Sequence, residues 1–281
     1  MSFKITTLME NNISEGKSEL YKEHGLSIYI QADGKRILFD TGKTGNFAKN
    51  AEKLNVDLSK LDSVILSHGH YDHTGGVETL INKGFIPSKL IVGKSFFNEK
   101  YKLAGTTKEL KYIGHPFKKS LLERHDILID EISSDMVYLS EHIMLFSNFK
   151  RNSDFEHLNK KFFIKCNDTL ELDCFTEEIV LAIKTEKGLF VILGCSHVGV
   201  VNIIETIIQR TGMNVLAIVG GTHLVDADKI RIDKTIAYFK EKNIQKIGVS
   251  HCTGEDAEKR LEEAFGNKFF HNNTGHIIEF S

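Results

Sequence analysis

The chain has 281 residues, 41% of them apolar and 26% charged, with a formal net charge of −2. This is ordinary globular composition with ample material for a core, and the lack of any block of like charges argues against nucleic-acid wrapping or polybasic attachment to membranes. No apolar stretch approaches spanning length, and the opening "MSFKITTLMENNISEG" lacks the apolar region of a secretion signal, so a cytoplasmic protein is expected.

In chain order, "LSIYIQADGKRILFDTG" reads as a β-hairpin turning at "ADGK" and ending at Asp40-Thr41-Gly42. The apolar spacing of "NFAKNAEKLNVDLSKLD" predicts a helix, and "SVILSH" a buried strand. "HTGGVETLINKG" predicts a helix beginning behind the histidines, and "SKLIVGKSFF" another strand. From about 100 to 170, strand-like runs ("DILIDEIS", "HIMLFSNF") mix with charged connections and no Pro/Gly-rich linker. This stretch is expected to be an elaboration over the site, within a single domain spanning 1–281.

The second half repeats the rhythm. "EIVLAIKTEKGLFVILGCSH" is a hairpin, "VNIIETIIQRTG" a helix closed by Gly212, and "VLAIVGGTHL" a strand. "KIRIDKTIAYFKEKN" is a helix, "IQKIGVSHCTG" a strand, "EDAEKRLEEAFG" a helix and "GHIIEF" an edge strand. Two such halves predict an α/β fold, two sheets packed together and flanked by helices.

Ligand-type side chains concentrate in "SHGHYDHTGG", residues 67–76, which places His68, His70, Asp72 and His73 within six positions. Three later strands end in His197, His223 and His251, and sites are commonly built just past strand ends. His68, His70 and a third imidazole suit one divalent ion; Asp72, His73 and a further imidazole suit a second. Such nitrogen and carboxylate donors fit zinc, iron or manganese, and ions so held activate water near neutral pH. The four cysteines, Cys166, Cys174, Cys195 and Cys252, contain no CxxC pair, so free thiols are expected.

"HGHYDH" matches the HxHxDH signature of the metallo-β-lactamase superfamily, and the resemblance extends through "LFDTG", "GCSH" and "SHCTG". It implies a four-layer αββα sandwich of two mixed sheets, with a mono- or dinuclear metal centre in the cleft between them. "LSHGHYDHTGG", "GCSHVGVVN", "GGTHL" and "HCTG" together resemble a subgroup of metal-dependent hydrolases, some named as a dihydropterin-ribofuranosyl-aminobenzene-phosphate synthase of methanopterin biosynthesis. Carried over, the resemblance makes His68 and His70 ligands of the first metal, and Asp72, His73 and His251 ligands of the second. Asp40 resembles the aspartate that orients the motif from behind.

The chain departs from the pattern twice. No "GHTxG" histidine appears around "DCFTEE", and the aspartate of a family "GD" is replaced by Cys195. His197 is expected to supply the missing imidazole, with Cys195 beside it. Asp72 and His223 are expected to take part in the reaction, His223 as ligand, proton donor or substrate contact. Arg151, in "KRNSDFE", is expected at an anionic substrate group. Cys252 is expected to pack away from His251, since strand neighbours face opposite ways. His24, His115, His125, His142, His157, His271 and His276 receive no chemistry.

The leading expectation is a hydrolase with two divalent ions, zinc before iron or manganese. It acts on an ester, lactone, thioester or phosphodiester bond of a small, anionic or phosphorylated molecule, with neither nucleic acid nor membrane as partner. One alternative is a pterin-pathway synthase joining phosphoribosyl and aminobenzoate groups. Another is a non-catalytic metal- or redox-sensing protein marked by an exposed Cys195. Substrate and oligomeric state stay open.

Overall fold

A computed structural model describes residues 1–105 and 109–281. The first half comprises β1 (Phe3–Met9), β2 (Ser27–Ala32), β3 (Lys35–Phe39), α1 (Asn46–Lys53), β4 (Ser63–Ile65), α2 (Tyr71–Thr74), α3 (Val77–Asn82) and β5 (Lys89–Gly93). The middle holds β6 (Glu99–Ala104), β7 (Glu109–Tyr112), α4 (Lys119–Arg124), β8 (Leu128–Ile132), β9 (Met136–Tyr138), β10 (Ile143–Phe146), β11 (Phe162–Cys166) and β12 (Thr169–Leu172). The last part comprises β13 (Val180–Thr185), β14 (Gly188–Leu193), α5 (Val200–Thr211), β15 (Val215–Gly221), α6 (Lys229–Glu241), β16 (Lys246–Ser250), α7 (Glu255–Phe265), β17 (Phe269–His271) and β18 (Ile277–Phe280).

These strands form two seven-stranded sheets, β18-β1-β2-β3-β4-β5-β8 and β17-β16-β15-β14-β13-β10-β9, and a four-stranded sheet, β12-β11-β6-β7. Each large sheet is antiparallel at one end and parallel at the other. Period-two alternation sorts side chains between the layers. Ile37 and Phe39 of β3 and Leu181 and Ile183 of β13 point into the core between the sheets. Leu38 faces outward onto Phe47 and Ala48 of α1 and Leu80 of α3. Val180 and Ala182 face outward onto Ile203, Ile204 and Ile207 of α5. The result is the expected mixed α/β sandwich, two sheets flanked by helices.

The stretch from 100 to 170 is divided among all three sheets. β6, β7, β11 and β12 form the small sheet, whereas β8 joins the first large sheet and β9 and β10 extend the second. The helix expected behind the histidines begins inside the motif, at Tyr71. His70 precedes it with extended dihedrals, so the chain turns through the motif and carries Asp72 and His73 on a helical turn.

Candidate metal centre

The ligand-type residues follow the carboxyl ends of parallel strands, where open α/β sheets place their sites. Asp40 follows β3, the His68–His73 motif follows β4, and Cys195 with His197, then His223, then His251 follow β14, β15 and β16. Four of these exits take left-handed backbone: Asp40 (φ 61°), Ser196 (61°), His223 (48°) and His251 (57°). Non-glycine residues held there cost on the order of 1–3 kcal/mol each, strain that clusters at functional sites.

His68, His70 and His197 bring one nitrogen each within 4.8 Å of one another. His197 Nε2 lies 3.1 Å from His70 Nδ1. A second concentration joins His73 Nε2 to His251 Nε2 at 3.2 Å and to Cys195 Sγ at 3.0 Å. Asp72 Oδ2 lies 3.3 Å from His251 Nε2 and 3.2 Å from His24 Nε2. The structure thus assembles the three imidazoles expected for a first ion and the Asp72, His73 and His251 expected for a second.

Neighbours fix the tautomers. Asp40 accepts from Ser67 N at 2.7 Å, from Ser67 Oγ at 2.7 Å and from His73 Nδ1 at 2.6 Å. Because the Ser67 hydroxyl is donated to Asp40, its oxygen accepts from His68 Nδ1 at 3.0 Å. His251 Nδ1 donates to Asn11 Oδ1 at 3.0 Å. His68 and His251 are left with the Nε2 lone pair facing the cleft, as a metal requires of imidazole, while His73, protonated in the absence of an ion, would release its Nε2 proton to an entering one. The Nε2 of His68 is buried with no hydrogen-bond partner, which is costly unless an ion meets it, and His70 turns Nδ1 toward the same cluster, 3.1 Å from His197 Nε2. A divalent ion therefore fits this donor set.

Electrostatics agree. Burial holds His68, His70 and His197 well below the ordinary imidazole value, and His223 and His251 at about 4, so these rings are neutral at physiological pH. For His73 burial is outweighed by Asp40, which raises it to about 9 in the absence of an ion. Burial alone would raise Asp72, but a hydrogen bond from His24 and the neighbouring positive charge of His73 hold it well below the usual carboxylate range.

Several contributors escaped the sequence reading. His24, given no chemistry, lines the cavity and contacts Asp72. Cys252 does not turn away: its thiol donates to Cys195 O at 3.4 Å and groups with Cys195 and His251. Strand alternation fails there because His251 has left the strand through its positive φ. Cys195 is buried, not exposed, and burial pushes its thiol well above the ordinary value. Arg151 is not brought to the cavity; its guanidinium donates to the carbonyls of Val198 at 3.4 Å and Cys174 at 2.9 Å.

The segment lacking a "GHTxG" histidine supplies support instead. Glu178 accepts from the amides of His197 (2.9 Å) and Val198 (3.0 Å), and Phe175 stacks on the His197 ring at 4.1 Å. Asp173 and Glu177 pair with the fully buried Lys100 at 2.7 and 2.6 Å, tying β6 beside the motif.

Glu10 does for His251 what Glu178 does for His197, accepting from its amide at 2.6 Å. Burial pushes the Glu10 carboxyl up to about 7. The folded state then binds more protons than the unfolded one, so this group's stabilisation is present at low pH and declines as pH rises from 4.5 to 7. Relative to Glu10→Gln, the metal-free parent should lose about 3 kcal/mol over that window and level off above it. Denaturant titrations of both proteins across that range test this; parallel pH profiles would refute it.

The metallo-beta-lactamase superfamily's sequence profile matches residues 20–137. Over 99% of its length the chain is 35% identical to 97% of the 7,8-dihydropterin-6-methyl-4-(beta-D-ribofuranosyl)-aminobenzene-5'-phosphate synthase of Methanocaldococcus jannaschii. The chain belongs to the metallo-beta-lactamase superfamily. A second M. jannaschii relative, the uncharacterized protein MJ0448, is 29% identical over 92% of this chain and 94% of its own. Among solved structures, Tm1679, described as a metal-dependent hydrolase of the beta-lactamase superfamily, superposes with a TM-score of 0.86 and 28% identity over 99% of both chains. The metallo-beta-lactamase fold implies divalent metal binding, consistent with the unmet nitrogens of His68 and His70.

Proposed function

We propose that this metallo-beta-lactamase superfamily member is a metal-dependent hydrolase of a small molecule with an ester, lactone, thioester or phosphodiester bond. The observation that carries this reading is the cluster of His68, His70 and His197, with His70 Nδ1 3.1 Å from His197 Nε2 and the His68 Nε2 buried and partnerless beside them. His68, His70 and His197 would hold one ion, and Asp72, His73 and His251 a second, with zinc preferred over iron or manganese for this donor set. The ions supply water activation at neutral pH and polarisation of the electrophilic oxygen. Asp40, Ser67 and Asn11 keep the ligand rings in register. His223, neutral through burial, faces the cavity and donates a hydrogen bond to charge developing on the leaving group. The cavity, about 780 Å³, suits a small molecule, and among the described residues no helix is long and apolar enough to cross a membrane.

A second reading, a synthase joining a phosphoribosyl donor to an aminobenzoate acceptor, is favoured by the name of the 35%-identical relative. The sensor reading loses its signature because Cys195 is buried. Metal analysis of freshly purified protein, followed by a panel of ester, lactone, thioester and phosphodiester substrates, tests the proposal. Turnover of at least one class should disappear on chelation and return with added metal. Product formation confined to phosphoribosyl donor plus aminobenzoate would favour the synthase, and chelator-insensitive turnover would sink the metal mechanism.

A further inference from the structure

Beside the main cavity lies a smaller one of about 300 Å³, and His197 and His223 line both. Its far wall carries Arg231 of α6 together with Lys160 and Lys161, against a single carboxylate, Asp226. Lys161 approaches Asp226 only to 3.9 Å with both side chains about half exposed, so that pair does little to neutralise the wall.

Arg231 is the informative residue. Its Nε is buried and has no hydrogen-bond partner, and among the described residues its guanidinium makes no ion pair. The neighbouring carboxylates act on Arg231 electrostatically but spend their hydrogen bonds on backbone amides. Glu156 accepts from the amides of Val201 and Asn202 at 3.0 and 2.7 Å, and Asp228 caps α6 by accepting from Arg231 N at 2.8 Å. Arg151 and Arg210, by contrast, satisfy their guanidiniums with backbone carbonyls. A buried guanidinium N–H left without an acceptor is destabilising unless a ligand brings an oxygen to it.

We propose that the smaller cavity is a subsite for a phosphoryl group carried by the substrate away from its reacting bond, with Arg231 as anchor and Lys160 and Lys161 at the rim. Among the lining residues three cations face one carboxylate, an excess of positive charge that favours a doubly charged phosphomonoester over a singly charged carboxylate, with Glu156 and Asp228 acting on Arg231 from outside the lining. Guanidinium geometry favours bidentate recognition of such an oxyanion. A molecule anchored at Arg231 extends past His197 and His223 into the larger cavity. Only this last placement rests on the metal-centre reading above.

The test is calorimetric titration of inorganic phosphate into the metal-replete full chain at neutral pH and fixed ionic strength. Arg231→Gln should weaken phosphate binding at least about tenfold. Lys160→Gln combined with Lys161→Gln, two exposed changes that leave the core intact, should weaken it about threefold. Lys229→Gln, the same loss of charge on the outer surface of α6, should leave it unaltered. Acetate should bind the parent far more weakly and be indifferent to Arg231. Equal phosphate affinity in the parent, the Arg231 variant and the double lysine variant would overturn the subsite, as would no binding to the parent. Acetate binding as tight and as dependent on Arg231 would overturn the phosphoryl assignment. The readout is binding without turnover, so the expected pattern in a protein that hydrolyses nothing would overturn the hydrolase reading and leave the subsite standing.

Discussion

His197→Ala should strip metal from the protein and abolish turnover, while Cys195→Ser retains most of its metal. His197 stands 3.1 Å from His70, and its ring is held on Phe175 while Glu178 grips its amide. As a metal ligand, an imidazole held this firmly would not be replaced by a neighbour, so its loss should weaken metal binding by at least about a hundredfold. Cys195 also faces the cleft, with its sulfur 3.0 Å from His73 Nε2, but burial keeps the thiol protonated in the absence of an ion. A thiolate bridge would make the centre softer and open to oxidation. Cobalt substitution separates the two cases. A sulfur-to-cobalt charge-transfer band in the parent that vanishes in Cys195→Ser would overturn the assignment, as would full metal content in His197→Ala.

Asp72→Ala should lose the second ion selectively, dropping the metal content from near two ions to near one and turnover by at least about a thousandfold. The carboxylate is almost fully buried, and its Oδ2 lies between His24 and His251, with the hydrogen bond from His24 and the positive charge of His73 keeping it ionised. Without it, no negative charge remains among His24, His73 and His251 to balance a divalent ion. Asp72→Asn keeps the shape without the charge, and should resemble the alanine variant in metal content while folding as the parent does. Competition against a mild chelator measures this directly. Undiminished metal content in Asp72→Ala would show that the second ion, if present, is held without it.

Much of this arrangement is visible in the sequence because its signal is local. Apolar runs ending in histidine mark β4, β14, β15 and β16; His70, His197, His223 and His251 line one cleft, with His68 and His73 packed behind it against His197 and His251. What stayed hidden depends on contacts distant in sequence. β1 went unread because six of its seven residues are buried, which erases the alternation that marks a strand with one wet face. His24 precedes a strand instead of ending one, so the pattern that found the other histidines passed over it. The middle segment could not be apportioned among three sheets because residue 102 pairs with residue 162, a partner no local window contains. Cys252 was misplaced by a single left-handed residue, His251, that breaks the strand period. Arg151 was drawn to an anion by its charge, whereas backbone carbonyls claim it; Arg231, in an unremarkable amphipathic helix, carries the unmet donor.

The grip of Glu10 on the His251 amide joins points 241 residues apart along the chain. During synthesis at about 5–20 residues per second, on the order of ten seconds or more separates the emergence of one partner from that of the other. His68, His70, Asp72 and His73 are exposed on the nascent chain long before His251 arrives to complete their cluster. A nascent chain at that stage would present a partial set of these imidazoles, able to hold an ion only more weakly than the completed cluster. If the cluster holds an ion as proposed, its choice would depend on timing as well as affinity, being completed only when the two distant segments meet.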